Sequence, residues 1–141
     1  MTQKQKELLL KDLCMRLPYG VKIDNMGEPS MLISINHKYR IIVEIAEGDK
    51  NPSFNSTRLD VLEIEDTIPY LFPLSSMTEE QRKELQELYF DYISDEIFND
   101  TEFVYHYDCI HLIDWLNKNH FDYRGLIPMG LAKDATGLNI Y

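Results

Sequence analysis

Leu9, Leu13 and Leu17 lie four residues apart, with Leu10 and Cys14 widening the stripe, and this spacing predicts a helix at the start of the chain. Thr2 and Gln5 stand at capping-box spacing ahead of it. Pro18 ends it, because proline has no N–H to continue the ladder and biases Leu17 away from helical dihedrals. Tyr19-Gly20 then turns the chain. The period changes to two from there. Val21–Asp24 is a short candidate strand, and Asn25-Met26-Gly27-Glu28-Pro29 supplies turn chemistry. Met31, Ile33 and Ile35 alternate with Leu32 and Ser34. After Asn36-His37-Lys38, Tyr39, Ile41, Val43 and Ile45 alternate with Arg40, Ile42 and Glu44. Alternation on both sides of a short polar loop predicts an antiparallel hairpin. A loop over Gly48–Ser53 and a weaker strand or helical turn over Leu59–Ile64 follow.

In the second half, Pro69 and Pro73 bracket Tyr70-Leu71-Phe72, which reads as an extended apolar linker. Ser76-x-x-Glu79 and Thr78-x-x-Gln81 both have capping-box spacing, and Leu85, Leu88, Tyr89, Tyr92 and Ile93 follow at helical intervals. Glu96 would return to the apolar face, so the helix is expected to end near Ser94. Phe103, Tyr105 and Tyr107 alternate with Val104 and His106 as a strand. Asp108 is placed to cap a helix over Cys109–Lys118, with Tyr107 and Leu112 as a hydrophobic staple and Asn119 as a left-handed C-cap. Phe121–Pro128 has the character of a tight turn, with Asp122 capping one helical turn. Together these elements predict one α+β domain: a small antiparallel β-meander packed with about three helices. Its N-terminal helix and meander span 1–66, and an acidic helix and C-terminal helix region span 67–141.

Composition supports a folded chain. At 141 residues and 44% hydrophobic it has enough apolar surface for a core. Leu8-Leu9-Leu10 is cut short by Lys11 and Asp12, too brief for a signal segment or a membrane span. Cys14 and Cys109 stand alone and far apart, the pattern of reduced thiols in a cytoplasmic protein. The charge changes the picture more. Residues 59–102 hold thirteen acids and two bases, a net of −11, and all other residues together come to +1. The formal charge of −10 is therefore concentrated in one segment. No cluster of Lys and Arg offers phosphate contacts, so direct nucleic-acid binding is not expected. The glycines show no phosphate-loop or dinucleotide spacing.

Two long strings, Pro69-Tyr70-Leu71-Phe72-Pro73-Leu74-Ser75-Ser76-Met77-Thr78-Glu79-Glu80 and Ile113–Ile127, resemble a family of small proteins recurring in gut Bacteroidales genomes and their phages and mobile elements. The opening Leu13–Val21 is similar to the same family. The resemblance implies a genetic context and no particular activity. The chain departs from that pattern at Phe72, where an arginine is common, and in Ala132–Tyr141.

Three groups of residues carry candidate chemistry. Glu80, Glu84, Glu87, Asp91 and Asp95 fall in one stripe opposite the apolar side of their helix. That stripe is either a solvated helix face or a docking surface for a basic protein, in the extreme a mimic of nucleic-acid phosphates. Calcium binding is not expected, because no Asp-x-Asp-x-Asp-Gly loop occurs. Trp115, Tyr123 and Arg124 combine the residue types that anchor interfaces and small-ligand pockets. Trp115 and Phe121 equally suit packing of the last helix on the sheet, with Arg124 paired to Asp122 or Asp114. His106, Asp108, Cys109 and His111 gather four ligand-type side chains, the basis of a metal-dependent hydrolase or a Cys–His nucleophile. Their spacing matches no established zinc set, Asp108 has a cap to make, and no cofactor is implied. The favoured expectation is a non-enzymatic accessory factor docking a basic protein through 59–102. A small-ligand module and a small hydrolase are the alternatives.

Overall fold

In the computed structural model, residues 1–36, 40–45, 58–89 and 109–141 are described. Among them the chain is α+β, with three α-helices, a four-stranded antiparallel sheet and a small three-stranded sheet. The described chain divides into two compact units, Met1–Tyr70 with Ile140–Tyr141, and Leu71–Asn139. No helix among the described residues is long and apolar enough to cross a membrane.

The first unit opens with α1, Gln3–Arg16. Thr2 accepts from the Gln5 amide while the Gln5 side chain accepts from the Thr2 amide, so the predicted capping box is present in full. A 3₁₀ turn over Leu17–Tyr19 follows, ended by Gly20 at φ 70°. The buried face of α1 differs from the expected stripe. It consists of Leu9, Asp12, Leu13 and Arg16, while Cys14 is exposed. Asp12 and Arg16 are fully buried and paired, Nε to Oδ2 at 2.6 Å and Nη2 to Oδ1 at 3.2 Å.

Strands β1 (Lys22–Asn25), β2 (Glu28–Ile35), β3 (Ile41–Ile45) and β4 (Arg58–Leu62) pair in sequence order, each antiparallel to the next. Val21, Ile23, Leu32, Ile41 and Val43 are buried. In β2 the buried positions are Ser30 and Leu32, whereas Met31 and Ile33 are exposed. Ile33 occupies a register shift between Leu32 and Ser34. Of the two forms expected for Leu59–Ile64 the strand is the one taken, as β4, and a 3₁₀ turn at Ile64–Asp66, against which α1 packs, follows it.

The β1–β2 turn is tighter than the pentapeptide suggested. Met26 and Gly27 alone connect the strands, at φ 55° and 94°. Two consecutive positive φ values match the two-residue hairpin turn whose twist suits its strands, and asparagine is the residue usually found where Met26 stands. A left-handed methionine costs roughly 1–2 kcal/mol, and at 99% exposure its side chain recovers nothing by packing. Met26→Asn is therefore expected to stabilise the protein by about 0.5–1 kcal/mol, read as a raised urea midpoint with unchanged slope. An unchanged midpoint would show that the turn carries no such cost.

In the second unit β5, Tyr70–Pro73, begins at the boundary residue. It was expected to be a linker and is instead the central strand of a sheet ordered β6-β5-β7, with β6 at Phe121–Asp122 and β7 at Lys133–Asp134. β5 and β6 run parallel, Phe72 opposite Phe121, and Phe72 N–H donates to the His120 carbonyl at 2.9 Å. Pro69 and Pro73 lie at the strand's margins, where the missing N–H costs least. Helix α2 spans Glu79–Tyr89 and α3 spans Cys109–Lys118, the latter as predicted. The expected left-handed C-cap moves by one residue. His120 takes φ 60°, while the Asn119 side chain donates to the Trp115 carbonyl at 3.0 Å. Asp122 caps the following turn as expected, accepting from Leu126 N–H and Ile127 N–H at 2.8 Å each. The strand expected over Phe103–Tyr107, the end of the acidic helix near Ser94 and the Asp108 cap lie outside the described residues.

Candidate functional site

Helix α2 carries the acidic stripe, and its first turn sets the direction of every side chain on it. Of the two candidate boxes, Thr78–Gln81 is the one used. Thr78 N–H donates to Gln81 Oε1 at 2.9 Å, and Gln81 N–H donates to Thr78 Oγ1 at 3.2 Å. Ser76 instead donates its hydroxyl to the Pro73 carbonyl at 2.7 Å. Leu85 then points inward, joining Met77, Trp115, Leu116, Phe121 and Tyr123 in the core of this unit. With Leu85 inward and about 100° of rotation per residue, Glu80, Glu84 and Glu87 share an outer arc of roughly 60°.

All three glutamates are exposed, as is Glu79 on the flank. Among the described residues no ion pair engages any of them. Glu79 and Glu80 gain from the positive end of the helix dipole. Glu84 and Glu87 lie beyond the first turn and gain nothing there, while Glu80 and Glu84 repel at i,i+4. Asp91 and Asp95, the remaining members of the predicted stripe, lie outside the described residues.

The acids of the same charged segment in the first unit are placed differently. Lys6 binds Glu65 and holds its carboxyl below the usual carboxylate range. Arg40 approaches Glu63 at 3.4 Å, and Asn25 donates to Asp60 at 3.3 Å. The acids of the first unit are thus partly compensated, whereas among the described residues those of α2 meet no ion-pair partner. Nothing in the charge run distinguishes the two sets, because Lys6 and Arg40 reach the acids only through the fold.

Trp115 and Tyr123 are 6% and 4% exposed and belong to the core just described. The Trp115 ring stacks on Phe121 with centroids 5.8 Å apart and planes 10° from parallel, and Phe72 meets Phe121 at 6.3 Å. The Tyr123 hydroxyl donates to Asn117 Oδ1 at 3.1 Å. The Arg124 guanidinium lies 5.0 Å from the centre of the Tyr123 ring, a cation–π contact. The structure therefore brings these three candidate residues together, with the two rings turned into packing.

Of the four ligand-type residues, His111 is exposed on the first turn of α3 and Cys109 begins that helix. His106 and Asp108 lie outside the described residues. Among the described residues no group of three or more His, Cys, Asp or Glu is placed to hold a metal ion. Comparison with family models, curated proteins and solved structures finds no match to this chain.

Proposed function

We propose that this protein is a non-enzymatic, cytoplasmic accessory factor, encoded by a phage or mobile element, that docks a basic protein through acids of its 59–102 segment. The observation that carries this reading is the exposed Glu80–Glu84–Glu87 arc of α2, whose charges meet no counter-ion among the described residues. Exposed Lys83 borders this arc, but among the described residues no ion pair joins it to the three glutamates. Three neighbouring acids against one base keep the local potential negative, which speeds encounter with a positive partner and makes that encounter sensitive to salt. The arc is also well held, since Leu85 and the Thr78–Gln81 box fix the helix beneath it.

The test is a triple reversal, Glu80→Lys, Glu84→Lys and Glu87→Lys, on the tagged full chain. Host lysate is passed over both proteins at low and high salt, and retained proteins are identified by mass spectrometry. A basic protein should be held by the wild type at low salt and released at high salt. The variant should bind it at least about tenfold more weakly at low salt, with an unchanged circular dichroism spectrum. Equal binding by both proteins would overturn the electrostatic reading, as would the absence of any basic protein at low salt.

A further inference from the structure

Strand β1 pairs on both edges. Beyond its hairpin with β2, Ile23 bridges Pro69 in antiparallel fashion, and Asp24 N–H donates to the Ile68 carbonyl at 2.8 Å. Hydrogen-bonded rungs recur every second residue in such a ladder, so the next rung in this register joins Lys22 N–H to the Tyr70 carbonyl. A side chain stands in that rung. Lys22 N–H donates to the Tyr141 hydroxyl at 3.0 Å, and the hydroxyl donates to the Tyr70 carbonyl at 2.7 Å. One phenol oxygen thus completes both halves of a backbone hydrogen bond between residues otherwise in register.

The hydroxyl is bonded on both sides, whereas the residues that lead to it lie at the surface. Thr136, Gly137, Leu138 and Asn139 are exposed, and the Tyr141 residue as a whole remains 42% exposed. We propose that Tyr141 is a releasable latch: withdrawing its hydroxyl opens the Lys22–Tyr70 rung while the four-stranded sheet stays folded. Burial pushes the phenol up to about 12, so it keeps the proton it donates to Tyr70 across the ordinary pH range. In the open state the Lys22 N–H loses the acceptor that Tyr141 supplies.

Amide hydrogen exchange on the full chain tests this. Leu32 N–H, which donates to the Val21 carbonyl at 3.0 Å in the neighbouring strand, is the internal reference. In the wild type at low urea, Lys22 should exchange by a route insensitive to urea, whereas Leu32 should follow global unfolding. In Tyr141→Phe, Lys22 should exchange about tenfold faster or more, with Leu32 changed less than about twofold. If Lys22 and Leu32 share one urea dependence in the wild type, the latch is overturned, and this arm stands even if the variant fails to fold. An unchanged Lys22 rate in the variant, or an equal rise at both amides, also overturns it.

Discussion

Asp12→Ala is expected to remove about 3–5 kcal/mol of stability, a large share of the roughly 5–15 kcal/mol that holds most domains together. Asp12 and Arg16 are both fully buried, and the pair is bidentate across one helical turn. Deleting the carboxylate takes a bidentate partner from a fully buried guanidinium, and an arginine cannot discharge itself by losing a proton. The expected loss is therefore that of breaking a buried ion pair, well beyond the few tenths of a kcal/mol that an exposed i,i+4 pair contributes. Replacing both residues together, Asp12→Leu with Arg16→Met, should cost much less than either change alone, because no charge then remains buried. Urea denaturation of the wild type, Asp12→Leu, Arg16→Met and the double variant, analysed as a double-mutant cycle, measures this coupling directly, with Asp12→Ala measured beside them. A loss below about 1 kcal/mol for Asp12→Ala would show that the pair is effectively solvated.

Trp115→Ala comes next, with an expected loss of about 3–5 kcal/mol. The indole stacks on Phe121 and packs in the cluster that also holds Leu85, the residue that turns the glutamates of α2 outward. Removing it leaves a cavity bounded by α2, α3 and β6, so the acidic arc should lose its support along with the core. Trp115→Phe should cost less than half as much. It keeps a ring on Phe121, and the indole N–H meets no acceptor among the described residues, so no hydrogen bond is given up. Unfolding followed by circular dichroism checks both variants. An alanine variant of near wild-type stability would overturn the packing role and return Trp115 to the ligand-site reading.

What could be read from the sequence was whatever completes itself within a few residues. The Thr2–Gln5 and Thr78–Gln81 boxes, the Asp122 turn and the boundaries of α3 each depend on groups close together along the chain, whereas Pro18 did not turn Leu17 from helical dihedrals (φ −50°, ψ −43°) and the coil tightened into a 3₁₀ turn that Gly20 ends. The β2–β3 hairpin belongs to the same class, since alternation and a short loop specify it locally. Where two local solutions competed, reading alone could not choose. Asn119 was the natural left-handed cap, but its amide is used on the Trp115 carbonyl and His120 makes the turn instead. Ser76 and Thr78 had equal claims to cap α2, and the position of Pro73 took Ser76 away.

The candidate site followed the same division. By itself the sequence determined the α+β class, the helical phase that puts Glu80, Glu84 and Glu87 on one arc, and the concentration of negative charge in 59–102. Only the tertiary structure decided that Lys6 and Arg40 offset part of that charge and that, among the described residues, the α2 acids have no such partner. It also decided that Trp115 and Tyr123 face the core, that Asp12 and Arg16 are buried, and that Tyr70–Pro73 is a central strand with partners about fifty and sixty residues downstream. The physical reason is the range of the interactions involved. Dihedral preference, capping and periodicity act between near neighbours in the chain, whereas burial, ion pairing and strand pairing depend on which distant segments the fold brings together.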